Sequence, residues 1–119
     1  MKKILFISGT RADFGKLKPL IKKVDESGNY HAEIFVTGMH MLALYGQTSI
    51  EVEKSGFKNI YKYINQRDED DMDIVLAKTI QGLSDYVKES PPDLIVVHGD
   101  RVEAMAGAIV GSLNNILVA

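Results

Sequence analysis

One uninterrupted apolar run constrains the fold of this chain more than any other feature. Residues 94–97 read Leu-Ile-Val-Val, and His98, Gly99, Asp100 and Arg101 follow directly. An apolar run of this length between turn residues is typical of a strand that is buried on both faces. Such a strand needs cover on each side, so it predicts a parallel sheet between two layers of helices. Ligands of these sheets bind at the carboxyl ends of the strands, which makes His98, Asp100 and Arg101 candidates for chemistry.

The order of predicted elements extends this picture to the whole chain. Further strands are predicted over residues 2–8, 31–37 and 57–64, and residues 116–119 resemble the opening of another. Helices are predicted from about 13 or 14 to 27, from 48 to 56, from about 72 to 89 and from about 101 to 113, and residues 41–45 are a further helix start. This alternation predicts an α/β fold with a doubly wound, Rossmann-like parallel sheet.

Local patterns refine two of these helices. Asp13 is a plausible N-cap of the first helix and Gly28 a plausible stop. The residues expected on its buried face are Leu17, Leu20, Ile21 and Val24. The last helix is expected to turn Val102, Met105, Ala106, Ile109 and Leu113 inward. Its many small residues, namely Ala104, Gly107, Ala108 and Gly111, should allow it to pack closely on the sheet.

Length and composition exclude several classes of function. A chain of 119 residues with 45% hydrophobic residues forms at most one domain with a real core. Its net charge of −2 gives no basic footprint for nucleic acid, and no apolar stretch is long enough to span a membrane. The absence of cysteine excludes disulfides and thiolate zinc sites, and it agrees with a cytoplasmic protein. Because the sequence stops inside an apparent strand, we expect it to be the N-terminal piece of a longer protein.

The segment from Gly9 to Lys16 joins the first strand to the first helix. It has five residues between its glycines where a P-loop has four, and Leu17 stands at the P-loop's Ser or Thr position. It also lacks the G-x-G-x-x-G pattern of dinucleotide-binding folds. A helix N-terminus beside Arg11 favours an anion. An ordinary turn with a solvated arginine explains the same residues, and both interpretations stay open.

The three histidines show no spacing of a local metal site. His31 begins a strand and is expected at an edge or on the surface. His40 follows a strand, where function and a plain loop are equally good explanations. His98 is either a satisfied core histidine or, with Asp100 two positions on, part of a cleft. Asp100 in turn is either an acid or base or the N-cap of the last helix, whereas Glu103 is expected to be solvated on the first turn.

Three motifs stand at the ends of successive main strands. They are Gly-Thr-Arg-Ala-Asp at 9–13, Thr-Gly-Met-His at 37–40 and Val-His-Gly-Asp-Arg at 97–101. Together they resemble the hydrolysing UDP-N-acetylglucosamine 2-epimerases of the sialic-acid and legionaminic-acid pathways. The non-hydrolysing epimerases typically have Pro-Glu in place of Ala12-Asp13. Residues 45–48, 53–57 and 115–119 also resemble the family, which matches along all of this chain but over only about a third of a member.

The resemblance implies a two-domain GT-B fold with a nucleotide-sugar bound between the domains. This chain would be the N-terminal domain, without the C-terminal nucleotide-binding domain. The implied reaction breaks the anomeric C–O bond, releases the nucleoside diphosphate, removes the C2 proton and adds water to the glycal-type intermediate. It needs neither NAD nor a bound metal, so no cofactor is expected. The implied partners are the nucleotide-sugar and copies of the full-length protein in a dimer or tetramer, with no nucleic acid and no membrane.

The resemblance also implies roles for individual residues. The catalytic candidates are Asp100 as acid or base at the sugar, His98 as its neighbour, and Asp13, which matches a position needed for substrate binding or activity. The substrate-binding candidates are Arg11 at the nucleotide, Lys16, His40 against the sugar and Arg101 at the nucleotide or diphosphate. No metal ligand is implied.

Part of the implied site lies outside the sequence. The glutamate of the family follows the last strand, just beyond Ala119, so we expect the chain alone to be inactive. Two other functions stay open beside the epimerase: the N-terminal domain of a GT-B glycosyltransferase, and a flavodoxin-like binding module without catalysis. The sequence does not distinguish UDP from GDP, nor N-acetylglucosamine from a 2,4-diacetamido-trideoxy sugar.

Overall fold

The structure, a computed structural model, describes residues 2–37, 56–57, 59–63, 70–99 and 101–119, with the backbone alone for residues 11 and 12. The strands of this part are β1 (Lys2–Ser8), β2 (Tyr30–Val36), β3 (Ile60–Lys62), β4 (Leu94–Val96) and β5 (Leu117–Val118). The helices are α1 (Arg11–Ser27), α2 (Met72–Glu89) and α3 (Val102–Leu113). The helices predicted between residues 41 and 56 lie outside the described residues, apart from Gly56. Within the described ranges, no helix is long and apolar enough to cross a bilayer.

The strands form one sheet in the order β3-β2-β1-β4-β5, and every described pairing is parallel. This confirms the predicted doubly wound α/β fold. The chain builds the sheet outward from β1 in one direction through β2 and β3, and then in the other through β4 and β5. The order reverses between β1 and β4, where Phe6 pairs with Val96. A crevice for ligands opens at the carboxyl ends of the strands at such a reversal.

The two faces of the sheet carry separate halves of the core. On one face, residues of the strands pack against α1; this half comprises Phe6, Phe14, Leu17, Ile21, Ala32, Ile34, Val36 and Val96. On the other face they pack against α2 and α3; this half comprises Leu5, Ile7, Phe35, Leu83, Val87, Ile95 and Val110. Because Ile95 and Val96 belong to opposite halves, the apolar run of β4 is buried on both faces, as its sequence predicts.

Helix α1 begins two residues earlier than predicted. Thr10 has extended backbone angles, and its side-chain oxygen accepts a hydrogen bond from the backbone N–H of Asp13 at 3.1 Å. Thr10 is therefore the N-cap, and the prediction that Asp13 takes this position is wrong. The carboxylate of Asp13 is thereby free to bond elsewhere. Gly28 ends the helix with φ of 74°, a left-handed conformation that favours glycine, so the predicted stop is confirmed.

The buried face of α3 agrees only in part with the predicted one, because Val102 and Ala106 are buried as expected but other residues are not. Met105 and Leu113 are exposed, as is Leu20 on α1, so the predictions that these three face inward are wrong. Gly107 and Gly111 face the sheet, whereas Ala108 is exposed. A Cβ on Gly107 would lie 2.6 Å from Cγ1 of Val97 and 2.8 Å from Cδ1 of Ile7. Close approach leaves no room for a larger side chain at Gly107, while Val102 and Val110 are buried elsewhere on the helix.

Candidate functional site

The site is built where β1 and β4 end side by side. After Ser8, the chain passes through Gly9 and Thr10 into α1, so the first turn of that helix lies at the end of β1. After Val96, the chain passes through His98 and Gly99, whose φ of 86° again favours glycine, toward α3. Because β1 and β4 are parallel neighbours, these two loops meet at the same edge of the sheet.

Asp13 and His98 make the central contact between the two loops. Nδ1 of His98 lies 3.1 Å from Oδ1 of Asp13, and the backbone N–H of Gly9 donates to Oδ2 of the same carboxylate at 3.3 Å. Only 12% of the Asp13 side chain is exposed, whereas 44% of the His98 side chain is. His98 is therefore not a core histidine. It is a surface-facing imidazole whose inner nitrogen is held by a buried carboxylate.

This arrangement selects one tautomer of His98. A carboxylate only accepts hydrogen bonds, so Nδ1 must carry the proton that it shares with Asp13. The neutral ring then has its lone pair on Nε2, which makes that nitrogen available as a general base or, once protonated, as a general acid. Asp13 thus orients the ring of His98.

Arg101 and Glu103 form a second polar pair at the same edge. Nε of Arg101 lies 3.3 Å from Oε2 of Glu103. Glu103 is only 2% exposed, so the expectation that it is solvated is wrong. It lies against Gly9, where an added Cβ would be 3.0 Å from both Cγ and Cδ of Glu103. Because glycine has no side chain, the carboxylate of Glu103 can lie against Gly9 in the loop that follows β1.

The remaining predicted site residues divide into two groups. Lys16 is exposed on the second turn of α1. His40 and Asp100 lie outside the described residues, as does the side chain of Arg11. The N-cap position of α3 falls on Arg101, which makes no side-chain capping hydrogen bond. Among the described residues, no group of three or more His, Asp or Glu side chains could hold a metal ion.

His31 belongs to a different cluster, at the amino ends of the strands. Its Nε2 lies 3.3 Å from Oε2 of Glu33, and Nζ of Lys3 lies 3.6 Å from the same oxygen. The hydroxyl of Tyr86 donates a hydrogen bond to Oε1 of Glu33. Burial, together with this bond, raises the pKa of Tyr86 well above its ordinary value. This cluster lies at the opposite end of the sheet from the candidate site.

The sequence alone did not reveal two features of this site. It placed Asp13 and His98 at strand ends but linked His98 to Asp100, its near neighbour, because the approach of residues 85 positions apart depends on strand order. It also missed Glu103, since a glutamate on a first helical turn is usually solvated. The sequence feature that could have indicated a buried Glu103 is Gly9, a small residue directly after β1.

Comparisons with known proteins agree with this architecture. A family model described as UDP-N-acetylglucosamine 2-epimerase matches residues 22–119. A protein of Neisseria meningitidis serogroup B, named UDP-N-acetylglucosamine 2-epimerase, is 46% identical over 99% of this chain and 31% of its own length. A Legionella pneumophila protein, named UDP-N,N'-diacetylbacillosamine 2-epimerase (hydrolyzing), is 31% identical over 99% of this chain and 32% of its own length.

Solved structures share the fold. The crystal structure of UDP-GlcNAc 2-epimerase from Neisseria meningitidis bound to UDP-GlcNAc superposes with a TM-score of 0.84 at 20% identity, over 98% of this chain and 31% of that chain. MurG of Acinetobacter baumannii superposes with a TM-score of 0.76 at 16% identity, over 99% of this chain and 34% of that chain. At these identities the likeness concerns the fold alone.

The doubly wound sheet, with its polar side chains gathered where the strand order reverses, defines the N-terminal domain of a GT-B fold. Within that class, the match of the family model to residues 22–119 identifies the family. The chain belongs to the UDP-N-acetylglucosamine 2-epimerase family. It spans about a third of the length of the curated relatives that it matches.

Proposed function

We propose that this chain is the N-terminal domain of a hydrolysing 2-epimerase. Its substrate is UDP-N-acetylglucosamine or a related nucleoside-diphosphate 2-acetamido sugar, and its products are free N-acetylmannosamine, or the corresponding sugar, and the nucleoside diphosphate. The reaction serves nonulosonic acid biosynthesis in the cytoplasm. The complete protein carries a C-terminal nucleotide-binding domain and assembles as a homo-oligomer.

The observation that carries this proposal is the contact between Asp13 and His98 at the reversal of strand order. The reaction requires removal of the proton on C2 of the sugar while the C1–O bond to the diphosphate breaks. An imidazole with its inner nitrogen fixed and its outer nitrogen toward solvent is suited to this proton transfer. Asp100, which follows two residues later in the sequence, supplies a second acid or base at the sugar.

Departure of the diphosphate places negative charge on the leaving group, and positive charge at that point lowers the barrier. Arg101 and Arg11 provide this charge at the ends of β4 and β1. Lys16, exposed on α1, contributes a further cation for binding. His40 follows β2 in the sequence and contacts the sugar. Water then adds to the glycal-type intermediate at C1, with protonation at C2 on the opposite face, which gives the inverted free sugar.

Two observations favour hydrolysis over reversible epimerisation of the intact nucleotide-sugar. The motif at 9–13 has Ala12-Asp13 where non-hydrolysing epimerases typically have Pro-Glu. The Legionella relative carries "hydrolyzing" in its name. The name of the Neisseria relative, which has the higher identity, does not mention hydrolysis. The sugar product that the enzyme releases therefore decides the subtype.

The test uses residues 1–119 joined to the part of the Neisseria relative that follows its matching segment; we refer to this protein as the joined enzyme. Incubated with UDP-N-acetylglucosamine, the joined enzyme should release UDP and free N-acetylmannosamine, identified by NMR. The 119-residue chain alone should give no detectable turnover. UDP-N-acetylmannosamine as the product would contradict the hydrolysing subtype, and failure to invert C2 in any substrate would contradict the epimerase itself.

Substrate identity is tested in the same assay. UDP and GDP forms of N-acetylglucosamine and of 2,4-diacetamido-trideoxy sugars are compared by kcat/KM. A glycosyltransferase would retain the configuration at C2 and would need an acceptor. Transfer of sugar to an added acceptor, without inversion, would support the glycosyltransferase in place of the epimerase.

A further inference from the structure

Glu103 is a buried carboxylate without hydrogen-bonding partners among the described residues. It is 2% exposed, and neither of its carboxylate oxygens has a hydrogen-bond partner there. Burial of a carboxylate is costly unless a countercharge or donors compensate it. A glutamate that merely stabilised the start of α3 through the helix dipole would do so on the surface. The buried position therefore requires a more specific role.

The countercharge of Glu103 is Arg101. Nε of Arg101 lies 3.3 Å from Oε2, at ion-pair distance but without the alignment of a hydrogen bond. Nε is itself buried, whereas 39% of the Arg101 side chain is exposed. The pair therefore holds the guanidinium by one edge and leaves the exposed remainder of the side chain at the carboxyl edge of the sheet.

This geometry fits the recognition of a diphosphate. A guanidinium has five N–H donors in a rigid planar fork, and the two terminal nitrogens can bind phosphate oxygens while Nε is bound elsewhere. Polar contacts of an unliganded site are often long or poorly aligned, and they tighten when the ligand binds. The imperfect alignment of the pair is consistent with such a site before the leaving group arrives.

We infer that Glu103 is a positioning residue: it holds Nε of Arg101 so that the terminal nitrogens face the diphosphate of the nucleotide-sugar. This inference rests on the proposed function, which assigns Arg101 to the leaving group. Glu103 touches no substrate and acts through Arg101 alone. Gly9 contributes to the same arrangement, because a side chain at that position would push the carboxylate of Glu103 away from its present place.

The test is a double-mutant cycle in the joined enzyme. Glu103→Gln keeps the shape of the side chain and removes its charge, and it should lower kcat/KM about ten- to hundredfold, as expected for a charge-assisted hydrogen bond. It should raise the inhibition constant of UDP by a similar factor. Arg101→Lys keeps the positive charge but has no Nε. In the Arg101→Lys background, Glu103→Gln should change kcat/KM less than about threefold.

A matched control is Glu89→Gln. Glu89 is an exposed glutamate at the C-terminus of α2, and its substitution should leave kcat/KM unchanged. Thermal unfolding of each variant separates loss of folded protein from loss of activity. If Glu103→Gln costs the same factor in the Arg101→Lys background as in the native one, Glu103 has a structural role and the inference is wrong. An inactive joined enzyme with native residues would instead overturn the proposed function, so the two failures are distinguishable.

A second measurement does not depend on turnover. In the joined enzyme labelled with ¹⁵N and saturated with UDP, the Nε–H signal of Arg101 should be protected from exchange with water when the sequence is native. Glu103→Gln should remove this protection, whereas Glu89→Gln should not. Equal exchange in all three proteins would contradict the pairing of Glu103 with Arg101.

Discussion

Oδ1 of Asp13 lies 3.1 Å from Nδ1 of His98, and Oδ2 of the same carboxylate accepts the backbone N–H of Gly9 at 3.3 Å. Asp13 therefore uses both of its oxygens as acceptors, toward donors on two different loops. A residue in the first turn of α1 thus fixes the orientation of a residue in the loop after β4.

Asparagine at position 13 should disrupt this arrangement without disturbing the fold. Asp13→Asn has one acceptor oxygen where two are used, so its amide either opposes the N–H of Gly9 or forces His98 into the tautomer protonated on Nε2. In the second case the ring loses its outward lone pair. We expect kcat of the joined enzyme to fall by about 10²- to 10⁴-fold, the range for loss of a positioned acid or base.

The tautomer is measured directly by ¹⁵N NMR of the histidine rings in the same variant. Asp25→Asn, an exposed position on α1, is the matched control and should leave both kcat and the His98 signals unchanged. Unaltered kcat in Asp13→Asn would show that His98 does not depend on this carboxylate.

The sequence predicted elements whose signals are local. The bounds of β1 and α2, the stop at Gly28 and the burial of both faces of β4 agree with the structure because each depends on a residue pattern within one element. The parallel sheet followed from the alternation of these elements. Polar residues at strand ends then indicated which edge of the sheet carries the site.

Features that depend on packing between elements were not predictable. Periodicity alone assigned Met105 and Leu113 to the buried face of α3, but both are exposed, because the close approach of Gly107 to Val97 sets which residues turn inward. The N-cap was assigned to Asp13 and not to Thr10 because both residue types cap helices well and the two lie only three positions apart. The roles of Asp100 and His40 remain predictions.

Substitution by alanine should change the free energy of unfolding in opposite directions at Gly9 and Gly15, the glycines on either side of the first turn of α1. A Cβ at Gly9 would meet Glu103 at 3.0 Å, whereas a Cβ at Gly15 would have no neighbour within 4 Å. Gly9→Ala should lower the free energy of unfolding by about 1–3 kcal/mol, as overpacking does. Gly15→Ala should raise it by about 0.5–1 kcal/mol, because glycine is unfavourable inside a helix. Urea unfolding of both variants measures the difference, and a stabilising Gly9→Ala would contradict the burial of Glu103 beneath this loop.

The packing of α3 on the sheet makes a similar prediction at Gly107. A Cβ there would lie 2.6 Å from Cγ1 of Val97, so Gly107→Ala should destabilise the domain by about 1–3 kcal/mol. In a Val97→Ala background one of the two obstructing methyls is gone while Cδ1 of Ile7 remains, so the cost of Gly107→Ala should be smaller but not abolished. Ser112→Ala, an exposed position on the same helix, should have little effect. Equal costs in both backgrounds, measured by urea unfolding, would show that Val97 is not the obstacle.

Stability at alkaline pH should depend on Tyr86. Burial is the larger cause and the hydrogen bond to Glu33 the next, and together they raise the pKa of Tyr86 in the folded state. An unfolded tyrosine releases its proton near pH 10, so above about that value the unfolded state loses the proton while the folded state keeps it. Fewer protons on the unfolded state mean that the free energy of unfolding falls as pH rises. The stabilisation by Tyr86 is therefore fully present below about pH 10 and is lost progressively above it.

Tyr86→Phe removes both the hydrogen bond and this proton. The variant should be less stable than the native sequence at pH 8, by about 1 kcal/mol for a typical hydrogen bond, and the difference should narrow as pH rises above about 10. Urea unfolding at several pH values from 8 upward, with the exposed Tyr30→Phe as control, measures this convergence. Since other groups titrate equally in both proteins, only the difference between the two curves reports on Tyr86. A difference that stays constant or widens with pH would mean that the phenol does not hold its proton more tightly in the folded state.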